Sequence, residues 1–166
     1  MTGVRLFLGR VLSLGSFLKY WLPVVGLMAL IFVASGDRMS FNHSSRMIGP
    51  LVRWLFPHLT PSQLHLVHVY ARKGAHVTEY ALLAVLVWRG FRGSLGEIRA
   101  PWKWSHAAAT LGVVIGYAAL DEWHQAFIPS RQGSVADVAI DAAGACVALA
   151  LAWGGVRWRQ RPQPPR

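Results

Sequence analysis

Residues Asp121 to Arg131 bring two acids, an imidazole, an amide and a guanidinium into one short run, Asp-Glu-Trp-His-Gln-Ala-Phe-Ile-Pro-Ser-Arg. Such a set can transfer protons, grip an anion or hold a cation. Upstream, His65, His68, Arg72, His76 and Glu79 follow one another at spacings of 3, 4, 4 and 3. At about 100° per residue, these spacings put all five on one stripe of a helix, flanked by Lys73 and Tyr80. Tyr117, Asp121 and His124 repeat at spacings of 4 and 3, and Gln125 continues that side. Downstream, Asp137 and Asp141 share a helical face at i, i+4. All of these groups lie in or beside segments oily enough to cross a bilayer. Ionisable groups are costly there and mark function by default.

Within those segments Arg72, Lys73 and Arg131 stand against Glu79, Asp121, Glu122, Asp137 and Asp141, a surplus of two negative charges. Protonated histidines, protonated carboxyls, a bound cation or water would offset it. His76, Glu79, Asp121, His124, Asp137 and Asp141 are competent metal ligands, but no spacing forms a metal signature. The metal is therefore unknown at this stage, and no cofactor is expected beyond a cation. Asp121 and Glu122, adjacent on a helix, point in different directions, and Asp121 is the one expected to face the bundle centre. No Gly-rich phosphate loop and no Gly-x-Ser-x-Gly elbow occurs.

The elements that position these residues are helices in lipid. Of 166 residues, 54% are hydrophobic and 14% charged. A soluble domain carries about 25% charged residues. Eight Trp suit interfacial anchoring. A single Cys146 rules out an intrachain disulfide. Four segments approach the roughly 20 apolar residues a span needs. They are Phe17 to Ser35, Leu66 to Trp88, His106 to Leu120 and Val135 to Trp153, the third extended by Trp104 and Trp123 at its ends. Arg5, Arg10 and Lys19 ahead of the first, with Ala34-Ser35-Gly36 after it, have the outline of a signal peptide. An uncleaved span is expected, because the rest of the chain is membrane-embedded too.

The net charge of +10 excludes nothing by itself, but its placement argues against nucleic acid. Eleven of the 17 Lys and Arg fall in three places: the N-terminal tail (Arg5, Arg10, Lys19), the second-to-third loop (Arg89, Arg92, Arg99, Lys103) and the C-terminal tail (Arg157, Arg159, Arg161, Arg166). With four spans these share one side, and the positive-inside rule makes it cytoplasmic. The polar sets then face outward. Met47, Leu51, Trp54 and Leu55 predict a short interfacial helix between the first two spans. Thr60-Pro61-Ser62-Gln63 reads as a capping box opening the next helix. Glycine and alanine at 142 to 145 permit close helix approach. The expected fold is all-α, an integral bundle of four transmembrane helices with that interfacial helix. Residues 1–16 form a cytoplasmic tail, 17–155 the membrane domain and 156–166 a basic, Pro-rich tail.

The second-helix run Arg72-Lys73-Gly74-Ala75-His76-Val77-Thr78-Glu79-Tyr80, the run Asp121 to Arg131 and the Asp-bearing helix after it together resemble the VanZ-like family of small membrane proteins. The resemblance spans roughly Leu22 to Trp153, with Ser130 standing where a Gly is usual before the Arg. It implies functional positions at Lys73, His76, Tyr80, Asp121, Glu122, His124, Gln125, Arg131, Asp137 and Asp141. It also implies an association with low-level resistance to the glycopeptide teicoplanin, which acts at the outer face of the membrane.

Together these readings predict a multi-pass plasma-membrane protein with both termini cytoplasmic. It binds a lipid or lipid-linked cell-wall precursor headgroup at the outer leaflet, and whether it also modifies that headgroup is left open by the sequence. His76, His124, Asp121 and Asp137 form the expected catalytic set. Lys73, Tyr80, Glu122, Gln125, Arg131 and Asp141 form the expected substrate-binding set, with Lys73 and Arg131 gripping phosphate or carboxylate. A structural membrane protein with a register-fixing ion-pair network, and an ion-coupled transporter, are the alternatives. Whether the chain is an enzyme, and its oligomeric state, stay open at the level of sequence.

Overall fold

The computed structural model describes residues 14–36, 50, 52–129 and 133–161. Among them every regular element is helical. In chain order these are α1 (Leu14–Tyr20), α2 (Leu22–Ser35), α3 (Pro61–Ser94), α4 (Trp104–Gln125) and α5 (Val135–Arg159). Arg5, Arg10, Arg38, Arg46, Met47, Leu51, Ser130, Arg131 and Arg166 lie outside the described residues. Of the expected interfacial helix, residues 52–55 are helical, with Val52 buried and Trp54 and Leu55 exposed.

Helices α1 and α2 are one apolar segment bent by 45°. Pro23 sits in the first turn of α2. It has no N–H to give to the carbonyl four residues back, and its ring crowds that carbonyl, so the chain turns there. Trp21 at the bend donates its indole N–H to Ser94 Oγ at 2.7 Å and meets Phe91 edge to face, which fastens the bend to the end of α3.

Helix α3 opens as its sequence predicts. Thr60 accepts from the Gln63 backbone N–H, and the Gln63 amide oxygen accepts from the Thr60 N–H. At 34 residues the helix is roughly 50 Å long, far more than the roughly 30 Å of hydrocarbon in a bilayer. At its other end Arg92, 2% exposed, turns back into the protein. Its guanidinium lies over the Trp88 ring and donates to the carbonyls of Ile98, Ala100 and Pro101. The connection to α4 is thus fastened from inside. Lys103 closes it with a hydrogen bond to Glu97, which holds the Glu97 carboxyl below the usual carboxylate range.

Helices α3, α4 and α5 pack around Tyr80, Leu83, Ala84, Val87, Val114, Ala118, Ala145 and Leu149, and Val24 and Ile31 of α2 complete the cluster. At Gly144 the backbones of α3 and α5 come close together. A Cβ there would lie 2.7 Å from the Val77 carbonyl oxygen. This is the close approach that the small residues of 142–145 permit. The outside of the bundle is apolar, with Leu30, Phe32, Val33, Leu120, Val147 and Leu151 at least half exposed. The inside holds Arg92, Thr110, Asp121, Glu122, Gln125 and Asp141.

By length and composition, α5 is apolar enough to cross a membrane, with a mean hydropathy of 1.9 over its best window, and α1 with α2 qualifies as one bent span. Helices α3 and α4 do not meet that test. Their length suffices, but the residues that make them chemically interesting lower their hydropathy.

Because the α3–α5 contact is backbone against backbone, Gly144→Ala has no flexible side chain to displace. Overpacking of this kind costs about 1–3 kcal/mol. Gly112 on α4 has open space around it, so Gly112→Ala gains helix propensity without a clash. Thermal unfolding in detergent is expected to show a lowered midpoint for Gly144→Ala and an unchanged or raised one for Gly112→Ala. Equal midpoints would contradict the close packing.

Candidate functional site

The polar stripe of α3 meets the acids of α5 across a cavity of about 170 Å³ lined by Arg72, Lys73, His76, Asp137 and Asp141, with Val69 and Ile140 as its apolar wall. At its edge Lys73 Nζ donates to Asp137 Oδ1 at 2.6 Å, with the lysine side chain 41% exposed and the aspartate 18%. Deeper in, His76 Nδ1 stands 3.8 Å from Asp141 Oδ1, and the Asp141 side chain is fully buried. Neither Asp141 oxygen receives a hydrogen bond among the described residues. Glu122 reaches the same place from α4. One ligand-capable atom from each of His76, Glu122 and Asp141 lies within 4.8 Å of the other two. The i, i+4 spacing of Asp137 and Asp141 lets one helix supply both the rim and the floor.

Glu122 is aimed by the turn between α4 and α5. Its Oε2 accepts from the Ser134 backbone N–H at 2.7 Å. Gly133 makes that turn possible, since a Cβ there would run into the Glu122 carbonyl oxygen. The sequence reading expects Asp121 alone of the adjacent pair to face inward, whereas both acids are buried, at 2% and 5%. Each has a different inward neighbour, because the bundle surrounds the end of α4 on two sides.

Asp121 faces α2. Its Oδ2 accepts from Ser35 Oγ at 2.9 Å and from Gln125 Nε2 at 3.0 Å. Gln125 Nε2 is also 3.5 Å from Glu122 Oε1, so this one amide links the two acids. His124 stacks on Phe32, with centroids 4.4 Å apart, and does not line the cavity. Tyr80 is fully buried, with its ring beside that of Tyr117 at 6.4 Å. The Tyr117 hydroxyl donates to the Met28 carbonyl of α2. His65 is exposed and His68 partly so, and neither lines the cavity.

Residues 20–157 match the pattern that defines the VanZ/LLP1 family. The chain belongs to the VanZ/LLP1 family. Neither the curated proteins nor the solved structures compared with it give a match. The family match covers nearly all the described residues, so the cavity and the Asp121 cluster both belong to the family's domain. Of the ten expected site positions, Lys73, His76, Asp137 and Asp141 line the cavity, and Glu122 reaches their cluster. Asp121, Gln125 and His124 turn toward α2. Tyr80 lies in the core, and Arg131 falls outside the described residues. Sequence reasoning missed Ser35. Nothing marks a serine near the end of an apolar helix as the hydroxyl partner of a distant acid.

Gln125 is the shared donor of two buried carboxylates. Gln125→Leu keeps the volume and withdraws the donor, at a cost of about 1–3 kcal/mol. Ser35→Ala removes a donor from Asp121 only. The expected order of thermal midpoints in detergent is wild type, then Ser35→Ala, then Gln125→Leu as the lowest. A Gln125→Leu protein as stable as wild type would show that this amide is not needed.

Proposed function

We propose that this VanZ/LLP1 protein is a four-span membrane protein with both termini cytoplasmic, whose cavity binds the anionic headgroup of a membrane lipid or lipid-linked cell-wall precursor at the outer leaflet. The observation that carries this reading is the cavity itself, with a half-exposed Lys73 and Arg72 at its lining and buried His76 and Asp141 behind them. Cations at the mouth suit a phosphate or carboxylate, while an apolar wall suits the chain attached to it.

Topology supports the same side. Residues 69–76 lie in the first half of α3, 137–141 in the first turns of α5 and Glu122 in the last turn of α4. These ends lie opposite the Arg-rich loop and tail, which the positive-inside rule assigns to the cytoplasm. The apolar exterior and polar interior are the pattern that lipid imposes on packed helices. If the headgroup is modified as well as bound, His76 is the base best placed to act. Asp141, rather than Asp121 or Asp137, is the carboxylate nearest its Nδ1 in the cavity. A contribution to glycopeptide resistance follows from the same location, since such drugs act on envelope precursors outside the cell.

The structural alternative has one observation in its favour, the short Lys73–Asp137 pair, which would fix the register of α3 against α5. The two readings separate on a charge swap. With full-length protein in nanodiscs, lipid-linked precursor binding is expected to fall at least about tenfold in Lys73→Gln, since a hydrogen bond to a charged group contributes about 1.5–3 kcal/mol. The double variant Lys73→Asp, Asp137→Lys is expected to regain thermal stability relative to Lys73→Asp alone and to remain deficient in binding. Full recovery of binding in the swap would favour the structural role. Wild-type protein that neither binds nor turns over envelope lipids would end the headgroup reading.

A further inference from the structure

The cavity floor holds an unbalanced charge. Lys73 and Asp137 neutralise each other at the rim. Behind them Glu122 and Asp141 are two carboxylates at 5% and 0% exposure, with the imidazole of His76 beside them and, among the described residues lining the cavity, the single further cation Arg72. Burial of an ionised carboxylate without partners is among the most costly things a fold can do. Asp141 has no hydrogen-bond donor on either oxygen among the described residues, and His76 Nδ1 has none either. The 3.8 Å between them is too long for a hydrogen bond.

That distance has a natural reading. Two donor atoms bound to one cation at roughly 2.0–2.2 Å each are held about 3–4 Å apart. We propose that His76, Glu122 and Asp141, one from each of three helices, hold a divalent cation of the zinc or manganese class at the floor of the cavity. Its charge of +2 cancels the two carboxylates, and it supplies the partner that Asp141 and His76 lack. One imidazole with two carboxylates favours zinc or manganese over calcium, which takes oxygen donors alone. The surroundings resemble an outer shell. Glu122 is oriented by the Ser134 N–H at 2.7 Å, and its other oxygen faces the Gln125 amide at 3.5 Å.

Three protein donors leave coordination positions open, as catalytic rather than purely structural zinc sites do. The cavity with Arg72 and Lys73 adjoins that opening, so an anionic group entering it would meet the cation and the two side chains together. This last step rests on the headgroup reading. The cation itself does not, and it is tested with no lipid substrate present.

Full-length protein, purified in detergent, freed of any affinity tag and stripped with chelator, is titrated with Zn2+ and with Mn2+. One equivalent per chain is expected, bound at least about tenfold more weakly by Asp141→Asn and by His76→Ala. Glu97→Gln, in the connection at the opposite end of the bundle, is expected to bind like wild type. Because those variants remove buried groups and can misfold, a second measurement uses the unaltered chain. The electron paramagnetic resonance spectrum of bound Mn2+ should show coupling to one imidazole nitrogen. The inference is overturned if folded wild-type protein takes up no stoichiometric equivalent, if both variants bind as wild type does, or if Mn2+ shows oxygen coordination alone. Failure here with precursor binding intact removes the cation and leaves the headgroup reading. Metal binding without precursor binding does the reverse.

Discussion

The structure is organised around the need to give three buried carboxylates, Asp121, Glu122 and Asp141, something to hold in place of water. In an interior this dry, a lone ionised acid is not tolerated. Asp121 solves the problem with a hydroxyl and an amide, Ser35 and Gln125. Glu122 solves it with a backbone N–H from the turn that follows its own helix. Asp141 has neither, and of the three it is the one that lines the cavity, 3.8 Å from His76 Nδ1. The two partnered acids tie elements together, although Asp121 uses only its Oδ2 to do so. The unsatisfied one is the acid on which the proposed binding site is centred.

The same need explains the packing. Helices α3 and α5 approach closely at Gly144 against Val77, one residue beyond His76 and three beyond Asp141. Close backbone contact brings the polar stripe and the acids face to face and leaves a cavity rather than an open groove. Helix α2 covers the remaining side of α4 and contributes Ser35 and Phe32 to Asp121 and His124. The apolar surfaces of these helices face away from the cluster. This inside-out distribution, with Arg, Asp, Glu and Gln buried and Leu, Phe and Val exposed, follows when the surroundings are hydrocarbon.

Much of this was legible in the sequence for physical reasons that can be stated. The 3-4-4-3 spacing placed the α3 groups on one face, and the i, i+4 spacing paired Asp137 with Asp141, because helical geometry is local. The Thr60–Gln63 cap and the 142–145 approach were readable for the same reason. What sequence could not give was the partner of each group. The direction of Asp121 and Glu122 depended on how α2 and the Ser134 turn wrap the end of α4, which no local pattern encodes. His124, part of a tidy Tyr117-Asp121-His124 series, stacks on Phe32 because helix α2 lies there. Hydropathy separates the helices: α5 alone, and α1 with α2 as a bent pair, are apolar enough to span, while the polar residues of α3 and α4 depress theirs.

Arg92 carries a consequence for how such a chain acquires its orientation. In the folded protein its guanidinium is spent on three carbonyls, and Lys103 is spent on Glu97. Of the four cations at that end of the bundle, two are thus engaged by the protein itself, and Arg89 rests over the Tyr20 ring. The finished loop is therefore much less basic than its sequence. If the chain crosses the membrane four times as proposed, the bias that keeps this loop on one side would be exerted by the nascent polypeptide during insertion, while all four charges are still bare. Once the loop has folded, Arg92 is internal and Lys103, still exposed, is paired with Glu97, so in such a chain the orientation would be retained by packing more than by attraction to the leaflet.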